Sequence, residues 1–203
     1  MFKFNMKNLL LGTLLLFLSC SLFTYVSIDV PKCVVKDLIK AKRSLNMQGK
    51  DVPFHISLAV VNNPNEGNTP KAVEKAVKRT IIKFGKKSLQ VGTTGKNKYF
   101  GFDNKCIVHE IAKDGDIMKF QDVLYQELVK VGVSIFPLFA RDKYSPHITL
   151  LNRIQKSGNW PTYKIYNNTR KLKFSVNQVK VDCGDVRMFN LNSKKFLPKK
   201  AKK

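Results

Sequence analysis

The sequence contains few acidic residues and few histidines. Its 203 residues include 14 aspartates and glutamates against 37 lysines and arginines, which gives a formal net charge of +23. A surface this basic attracts polyanions such as RNA, nucleotides or anionic lipid headgroups. A lysine-rich composition spread evenly over the surface would give the same charge, so the charge alone does not identify a partner.

The four cysteines are arranged neither as metal ligands nor as a disulfide framework. Cys20, Cys33, Cys106 and Cys183 form no C-x-x-C pair, and three scattered histidines do not supply the spacing of a zinc site. Cys20 lies in an N-terminal hydrophobic run, so a processed chain would keep three cysteines. One disulfide among these three stays open. We expect neither a metal nor a cofactor.

Two of the three histidines lie in short matched motifs. The stretches His55–Leu58 and His147–Leu150 share the order histidine, isoleucine, hydroxyl residue, leucine, and the two histidines are 147 − 55 = 92 residues apart. On a β-strand, residues i and i+2 point to the same face. Each motif is therefore expected to place an imidazole beside a hydroxyl group, with the isoleucine turned towards the other face.

Two imidazoles suit acid–base chemistry at a phosphodiester. A neutral imidazole can take a proton from the attacking oxygen, and an imidazolium can give one to the leaving oxygen. The ordinary histidine pKa of about 6.5 allows both forms near neutral pH. His55 and His147 are thus the candidate catalytic residues, and Ser57 and Thr149 are candidate donors to phosphate oxygens. The alternative is a pair of buried strand histidines beside β-favouring hydroxyl residues.

The first 30 residues are interpreted as a signal peptide or a membrane anchor. Lys3 and Lys7 precede an apolar run from Leu9 to Val26, as in a secretory signal. Small residues at 19–21 would permit cleavage near Leu22. An uncleaved anchor is the competing interpretation, because a run of about 18 residues can just span a bilayer. We therefore expect an exported or membrane-anchored protein.

The remaining chain is predicted to be one α+β domain at residues 31–192, followed by a lysine-rich disordered tail at 193–203. Helical spacing is present at 33–50, 69–84 and 117–131. Alternating or β-branched runs predict strands at 55–61, 88–93, 98–103, 106–112, from 147 onward, 171–181 and 185–191. This order suggests two lobes, each with an antiparallel sheet and a helix, around a central cleft that both motifs line.

The paired motifs resemble those of the 2H phosphoesterase superfamily, which is named for two H-x-[S/T] motifs. The stretch Ser145–Leu150 is similar to the Pro-His-apolar-Thr-Leu form of its second motif. The superfamily includes 2′-5′ RNA ligase-like proteins, 2′,3′-cyclic phosphodiesterases, a U6 RNA-processing exonuclease and 2′-5′-oligoadenylate phosphodiesterases. The resemblance covers roughly residues 52–191.

The resemblance implies a bilobal fold and metal-independent cleavage of a phosphodiester next to a ribose hydroxyl. Substrates would be a 2′-5′-linked oligonucleotide, a 2′,3′-cyclic phosphate or an RNA end. Residue by residue, it makes His55 and His147 the acid–base pair and Ser57 and Thr149 the phosphate-binding residues. It does not assign which histidine is the base. The alternative function is that of a catalytically idle module that binds RNA or a nucleotide and is either tethered to a membrane or exported across it.

Several other residues are weighed as substrate contacts. Arg141 and Lys143 would hold a second phosphate, with plain solvation as the alternative. Tyr144, Tyr99 and Trp160 would stack on a base, with core packing as the alternative. The third histidine, His109, has no hydroxyl residue two positions later and is interpreted as structural. We expect a monomer that binds RNA or a nucleotide, with membrane association through the N-terminal segment as a further option.

Overall fold

The computed structural model describes residues 23–44, 53–62, 69–101, 106–152 and 170–193. These residues form nine strands and three helices, in the order β1 (Phe23–Asp29), α1 (Lys32–Ser44), β2 (His55–Asn62), α2 (Thr69–Phe84), β3 (Leu89–Phe100), β4 (Cys106–Ile111), α3 (Asp116–Lys130), β5 (Ser134–Ile135), β6 (His147–Asn152), β7 (Lys173–Val176), β8 (Gln178–Asp182) and β9 (Val186–Asn190). A short 3-10 turn, Pro137–Phe139, lies before β6. None of the described helices is long and apolar enough to cross a membrane.

The strands form two antiparallel sheets. The first sheet has the order β5-β2-β1-β8-β9 and the second has the order β6-β4-β3-β7. The first motif lies on β2 and the second motif on β6, so each sheet carries one motif. This arrangement confirms the predicted α+β fold with two antiparallel-sheet lobes.

Helices α2 and α3 pack against the sheets and close the core. Helix α2 lies against β1 and β8, while α3 lies against β2, β3 and β5. The two helices also pack on each other, and the rings of Phe84 and Phe120 meet edge to face with centroids 5.2 Å apart. Phe120 is fully buried. The faces of the motif strands that are turned away from this core are available for polar side chains.

Strand β1 belongs to the fold, so the predicted domain boundary at residue 31 is wrong. It lies in the middle of the first sheet, between β2 and β8, and Val26 and Ile28 are fully buried. The N-terminal apolar run thus overlaps a core strand, which hydrophobicity alone does not distinguish from an export signal. Residues 1–22, the rest of the proposed signal peptide or anchor, lie outside the described residues.

Strand β3 is one long strand where the sequence suggested two. The prediction of separate strands at 88–93 and 98–103 is wrong because the chain continues through Gly95 without leaving the sheet. Gly95 has a φ of +76°, and the pairing of β3 with β4 shifts register between Thr93 and Asn97. A glycine irregularity within a strand therefore imitates a turn in the sequence.

The predicted strand 171–181 is two strands that belong to different sheets. Strand β7 pairs with β3 in the second sheet, and β8 pairs with β1 in the first. Between them lies Asn177, whose carbonyl oxygen accepts a hydrogen bond from the Leu191 amide at 2.8 Å. The chain therefore passes from one lobe to the other here. Nearly all of the predicted loop at 152–170, with Trp160, and of the lysine-rich tail lies outside the described residues.

Candidate active site

The first motif places its histidine and serine on the open face of β2. His55 is exposed and Ser57 is half-buried, while Ile56 between them is fully buried. This is the alternation expected for a strand with one face against the core. Asp29 lies opposite His55 in the β1–β2 ladder, and Ser27 lies opposite Ser57. The open face therefore carries a row of polar residues on two neighbouring strands.

The second motif repeats this alternation on β6. His147 and Thr149 are half-buried, and Ile148 is fully buried. In the ladder with β4, Glu110 lies opposite His147 and Val108 lies opposite Thr149. The imidazole and the hydroxyl of this motif therefore also share one strand face, as the i, i+2 spacing predicts.

The two motif strands meet although they belong to different sheets. Strands β2 and β6 approach within 8 Å, measured between Cα atoms. The hydroxyl of Tyr144, three residues before the second motif histidine, donates a hydrogen bond to the carbonyl oxygen of Ser57 at 3.0 Å. An electrostatic interaction with His55 also lowers the pKa of His147. The structure thus brings the two histidines into one region between the sheets.

Both imidazoles are oriented by the backbone in the same way. The Nδ1 atom of His55 lies 3.1 Å from the carbonyl oxygen of Pro53, and the Nδ1 atom of His147 lies 2.7 Å from that of Ser145. In each case the acceptor is two residues earlier in the chain. When Nδ1 donates to this carbonyl, Nε2 carries the lone pair that can accept a proton.

The surroundings of His147 favour the neutral imidazole. Burial lowers the pKa of His147, the hydrogen bond to Ser145 offsets part of this effect, and electrostatic interactions with Lys98 and His55 lower the pKa further. The ring also packs on Phe100 with ring centroids 4.1 Å apart and the planes tilted by 42°. His147 is therefore held in place and disposed to accept a proton rather than to carry one.

Lys98 and Glu110 lie next to the second motif, and the sequence analysis did not identify them as site residues. The Lys98 Nζ atom lies 2.7 Å from Glu110 Oε1 and 3.4 Å from Ser145 Oγ. Thr94 donates a hydrogen bond to the other Glu110 oxygen at 3.0 Å. The bond from Lys98 lowers the pKa of Glu110. The only signal in the sequence was the alternation of apolar and polar residues on β3 and β4. This alternation indicates which side chains meet only when the register between the two strands is known.

The three further residues predicted to contact the substrate lie in three different environments. Tyr144 is 2% exposed, and burial raises its pKa, so its predicted role as a substrate contact is wrong and the core-packing alternative holds. Arg141 forms an ion pair with Asp122 of α3, and both side chains are exposed. Lys143 is exposed on the turn that leads to β6.

His109 faces the core, as the structural interpretation predicts. It is 1% exposed, and its Nδ1 atom lies 2.7 Å from Asn97 Oδ1. Its ladder partner is Ile148, so it points away from the face that carries His147. Burial lowers the pKa of His109. This histidine is therefore outside the candidate site.

The described part of the chain contains neither a disulfide nor a cluster of metal-ligating side chains. Cys33, Cys106 and Cys183 are free thiols. Among the described residues, no group of three or more histidine, cysteine, aspartate and glutamate side chains is placed to hold a metal ion. The candidate site thus consists of two histidines, two hydroxyl residues and the adjoining Lys98–Glu110 pair.

Comparison with solved structures identifies the fold. No protein-family model and no curated protein sequence matches the chain. Usb1 from Kluyveromyces marxianus is 12% identical, with a TM-score of 0.56, and the match covers 85% of this chain and 99% of that one. TT0787 of Thermus thermophilus is 16% identical, with a TM-score of 0.55, and the match covers 85% of this chain and 99% of that one. The MHV ns2 PDE domain is 11% identical, with a TM-score of 0.52, and the match covers 75% of this chain and 90% of that one.

At these identities the comparison concerns the fold, and the fold agrees with what the paired motifs suggested. Two antiparallel sheets each present one H-x-[S/T] strand, and the two strands meet between the lobes. The chain therefore has the bilobal fold of the 2H phosphoesterase superfamily.

Proposed function

We propose that the chain is a phosphodiesterase that cleaves an RNA-like phosphodiester next to a ribose hydroxyl by acid–base catalysis with two histidines. The observation that carries this proposal is the approach of β2 and β6 to within 8 Å between Cα atoms, since each of these strands begins with one of the two motif histidines. The similar structures support it, since two of them are named as a phosphoesterase and as a PDE domain.

The proposed reaction needs one base and one acid on opposite sides of the phosphorus atom. The base imidazole takes a proton from a ribose hydroxyl or from water, and that oxygen forms a new bond to phosphorus. The bond from phosphorus to the leaving oxygen breaks, and the imidazolium of the other histidine protonates that oxygen. Attack by the ribose hydroxyl gives a cyclic phosphate, and attack by water gives an open phosphate ester.

The surroundings of His147 suit the residue that acts as the base and takes the proton from the attacking oxygen. Its lowered pKa keeps the imidazole neutral, and the Ser145 carbonyl oxygen orients Nδ1 so that Nε2 is the accepting atom. His55 then takes the role of the acid. Ser57 and Thr149 share a strand face with the histidine of their own motif, and their hydroxyls donate to the non-bridging oxygens where negative charge develops.

The test is turnover by the full-length chain on a panel of 2′-5′ dinucleotides, 3′-5′ dinucleotides and 2′,3′-cyclic mononucleotides in excess chelator. We expect cleavage of at least one of these substrate classes. His55→Ala and His147→Ala should each lower kcat by roughly 10² to 10⁴, the usual contribution of a positioned acid or base. Ser57→Ala and Thr149→Val should cause smaller losses.

His109→Gln is the matched control, because it removes the third histidine without touching the cleft. Its activity should stay close to that of the unchanged chain, with folding checked by circular dichroism. Full activity of either motif variant would contradict the proposal. Binding of the dinucleotides without turnover by the unchanged chain would instead support the idle binding module.

A further inference from the structure

A cavity of about 880 Å³ opens beside the first motif, between α1 and the junction of β7 with β8. Two of its lining residues adjoin His55. Asp29 lies opposite His55 in the ladder, and Pro53 provides the carbonyl oxygen 3.1 Å from His55 Nδ1. Ligand-binding cavities in proteins have volumes of about 300–1,000 Å³. This cavity is therefore large enough for a ligand and borders the candidate active site.

The cavity walls are mainly apolar. They are formed by Val35, Ile39, Phe54, Val176 and Met188, among other residues. Met188 is 44% exposed, and Val35 and Ile39 are half-buried, so apolar surface faces the open space. An apolar surface next to a phosphate-binding site suits a nucleobase, because RNA-binding proteins hold bases largely by contact with their flat faces.

Lys180 supplies a cation at the rim of this cavity. It lies opposite Ser27 on β1, which in turn lies opposite Ser57, so Lys180 and Ser57 share one sheet face two strand spacings apart. Two spacings are about 10 Å. The Lys180 Nζ atom is 3.5 Å from Asp182 Oδ2, a solvent-accessible ion pair of a kind that contributes little. Its charge therefore lies beyond a phosphate held by Ser57, along the same face.

We propose that this cavity binds the nucleoside that carries the leaving oxygen, on the His55 side of the cleaved bond, and that Lys180 contacts the phosphate on the far side of that nucleoside. Asp29 at the mouth accepts a hydrogen bond from a ribose hydroxyl, as acidic side chains do in dinucleotide sites. This inference rests on the proposed function and narrows it. The preferred substrate is then a linear single-stranded oligonucleotide, whereas a 2′,3′-cyclic mononucleotide has no separate leaving nucleoside and leaves the cavity empty.

The test fills the cavity and compares two substrates. Val35→Trp puts an indole into the space, and its control is Val129→Trp, because Val129 is 53% exposed on α3. We expect Val35→Trp to lower kcat/KM for a linear trinucleotide about tenfold, within the range for loss of one stacked base. The kcat/KM for a 2′,3′-cyclic mononucleotide should stay within about twofold, since that substrate does not use the cavity.

A second variant examines the rim without filling the cavity. Lys180→Met removes the cation from an accessible position, and Lys173→Met on β7, where the lysine is exposed, is its control. Lys180→Met should lower kcat/KM for the trinucleotide at low salt. The difference in kcat/KM from the unchanged chain should shrink at high salt. The ratio of kcat/KM for the trinucleotide to kcat/KM for the cyclic substrate could also stay unchanged in both Val35→Trp and Lys180→Met. That result would overturn the inference and leave the proposed phosphodiesterase activity intact.

A binding measurement separates this inference from catalysis. A labelled oligodeoxynucleotide lacks the 2′-hydroxyl and reports binding by fluorescence anisotropy. Val35→Trp should weaken this binding about tenfold, and Val129→Trp should not change it. If the unchanged chain turned over no substrate, the proposed function would fail, and this binding difference would still decide the inference. Equal affinity of the two tryptophan variants would overturn it.

Discussion

The hydroxyl of Tyr144 donates a hydrogen bond to the main-chain carbonyl oxygen of Ser57 across 3.0 Å. The donor comes from the segment that leads into β6 and the acceptor lies on β2, so one bond joins the two lobes beside both motifs. Tyr144 is 2% exposed and Ser57 is half-buried, so the bond lies at the border between the core and the candidate site.

Tyr144→Phe should therefore lower the free energy of unfolding by about 0.5–1.5 kcal/mol, the usual net contribution of a hydrogen bond. The measurement is the urea midpoint at constant slope. Tyr125→Phe on α3 is the matched control and should change the free energy of unfolding by less than about 0.5 kcal/mol. Equal midpoints for Tyr144→Phe and the unchanged chain would show that the bond between the lobes does not contribute to stability.

Stability should fall in mild acid because two histidines are held neutral. Burial lowers the folded-state pKa of His109 and of His147, whereas the unfolded pKa is about 6.5. Above this pH the contribution to stability is complete. As the pH falls below it, the unfolded chain binds protons that the folded chain does not, so the free energy of unfolding decreases, by up to about 1.4 kcal/mol per pH unit for each group.

The urea midpoint should thus drop between about pH 7.5 and about pH 5. His109→Gln removes one of the two groups, so its drop should be smaller, even though its stability at the higher pH is also reduced by the changed contact with Asn97. His55→Gln is the comparison at an exposed position. A drop of the same size in His109→Gln and in the unchanged chain would mean that His109 does not resist protonation.

The parts of the fold that the sequence predicted are those fixed by local periodicity. Helix α2 begins at Thr69 and ends at Phe84, as its threonine, proline and following Gly85 indicate, and the histidine and hydroxyl of each motif share a face because strands have period two. The sequence did not predict the division at Asn177, because the segment contains no glycine or proline there, although its apolar alternation shifts by one residue between Val176 and Val179.

The site was predicted incompletely for a related reason. Lys98 and Glu110 are 12 residues apart and meet only because the glycine irregularity in β3 sets the register with β4. Likewise, the apolar residues of β1 have the composition of both a buried central strand and the end of an export signal. In both cases the deciding information is a long-range pairing, which a single sequence does not display.

The contact between α2 and α3 should contribute strongly to the stability of the core. Phe120 is fully buried, and its ring meets that of Phe84 edge to face at 5.2 Å. Phe120→Ala should lower the free energy of unfolding by about 3–5 kcal/mol, through lost burial and the cavity left behind. Val129→Ala on the exposed side of α3 should cost under about 0.5 kcal/mol. A loss below about 1 kcal/mol for Phe120→Ala would contradict this packing.

Lys98 should control the protonation of His147 from outside the paired motifs. Its positive charge lowers the pKa of His147, and it also holds Glu110, the ladder partner of His147, in an ion pair at 2.7 Å. Lys98→Met removes the cation and leaves the Glu110 carboxylate without this partner. Both changes favour the imidazolium, so the pKa of His147 should rise.

If His147 is the base, the acid limb of the kcat/KM profile of Lys98→Met should move to higher pH, while activity on the alkaline side of that limb changes less. Nuclear magnetic resonance titration of the His147 ring measures the same shift directly. Lys96→Met is the matched control, because Lys96 is exposed on the same strand and acts on Glu110 rather than on His147. Lys98→Arg should restore the profile, since it keeps the charge. An unmoved His147 titration in Lys98→Met would show that the lysine serves only to hold Glu110 and Ser145 in place.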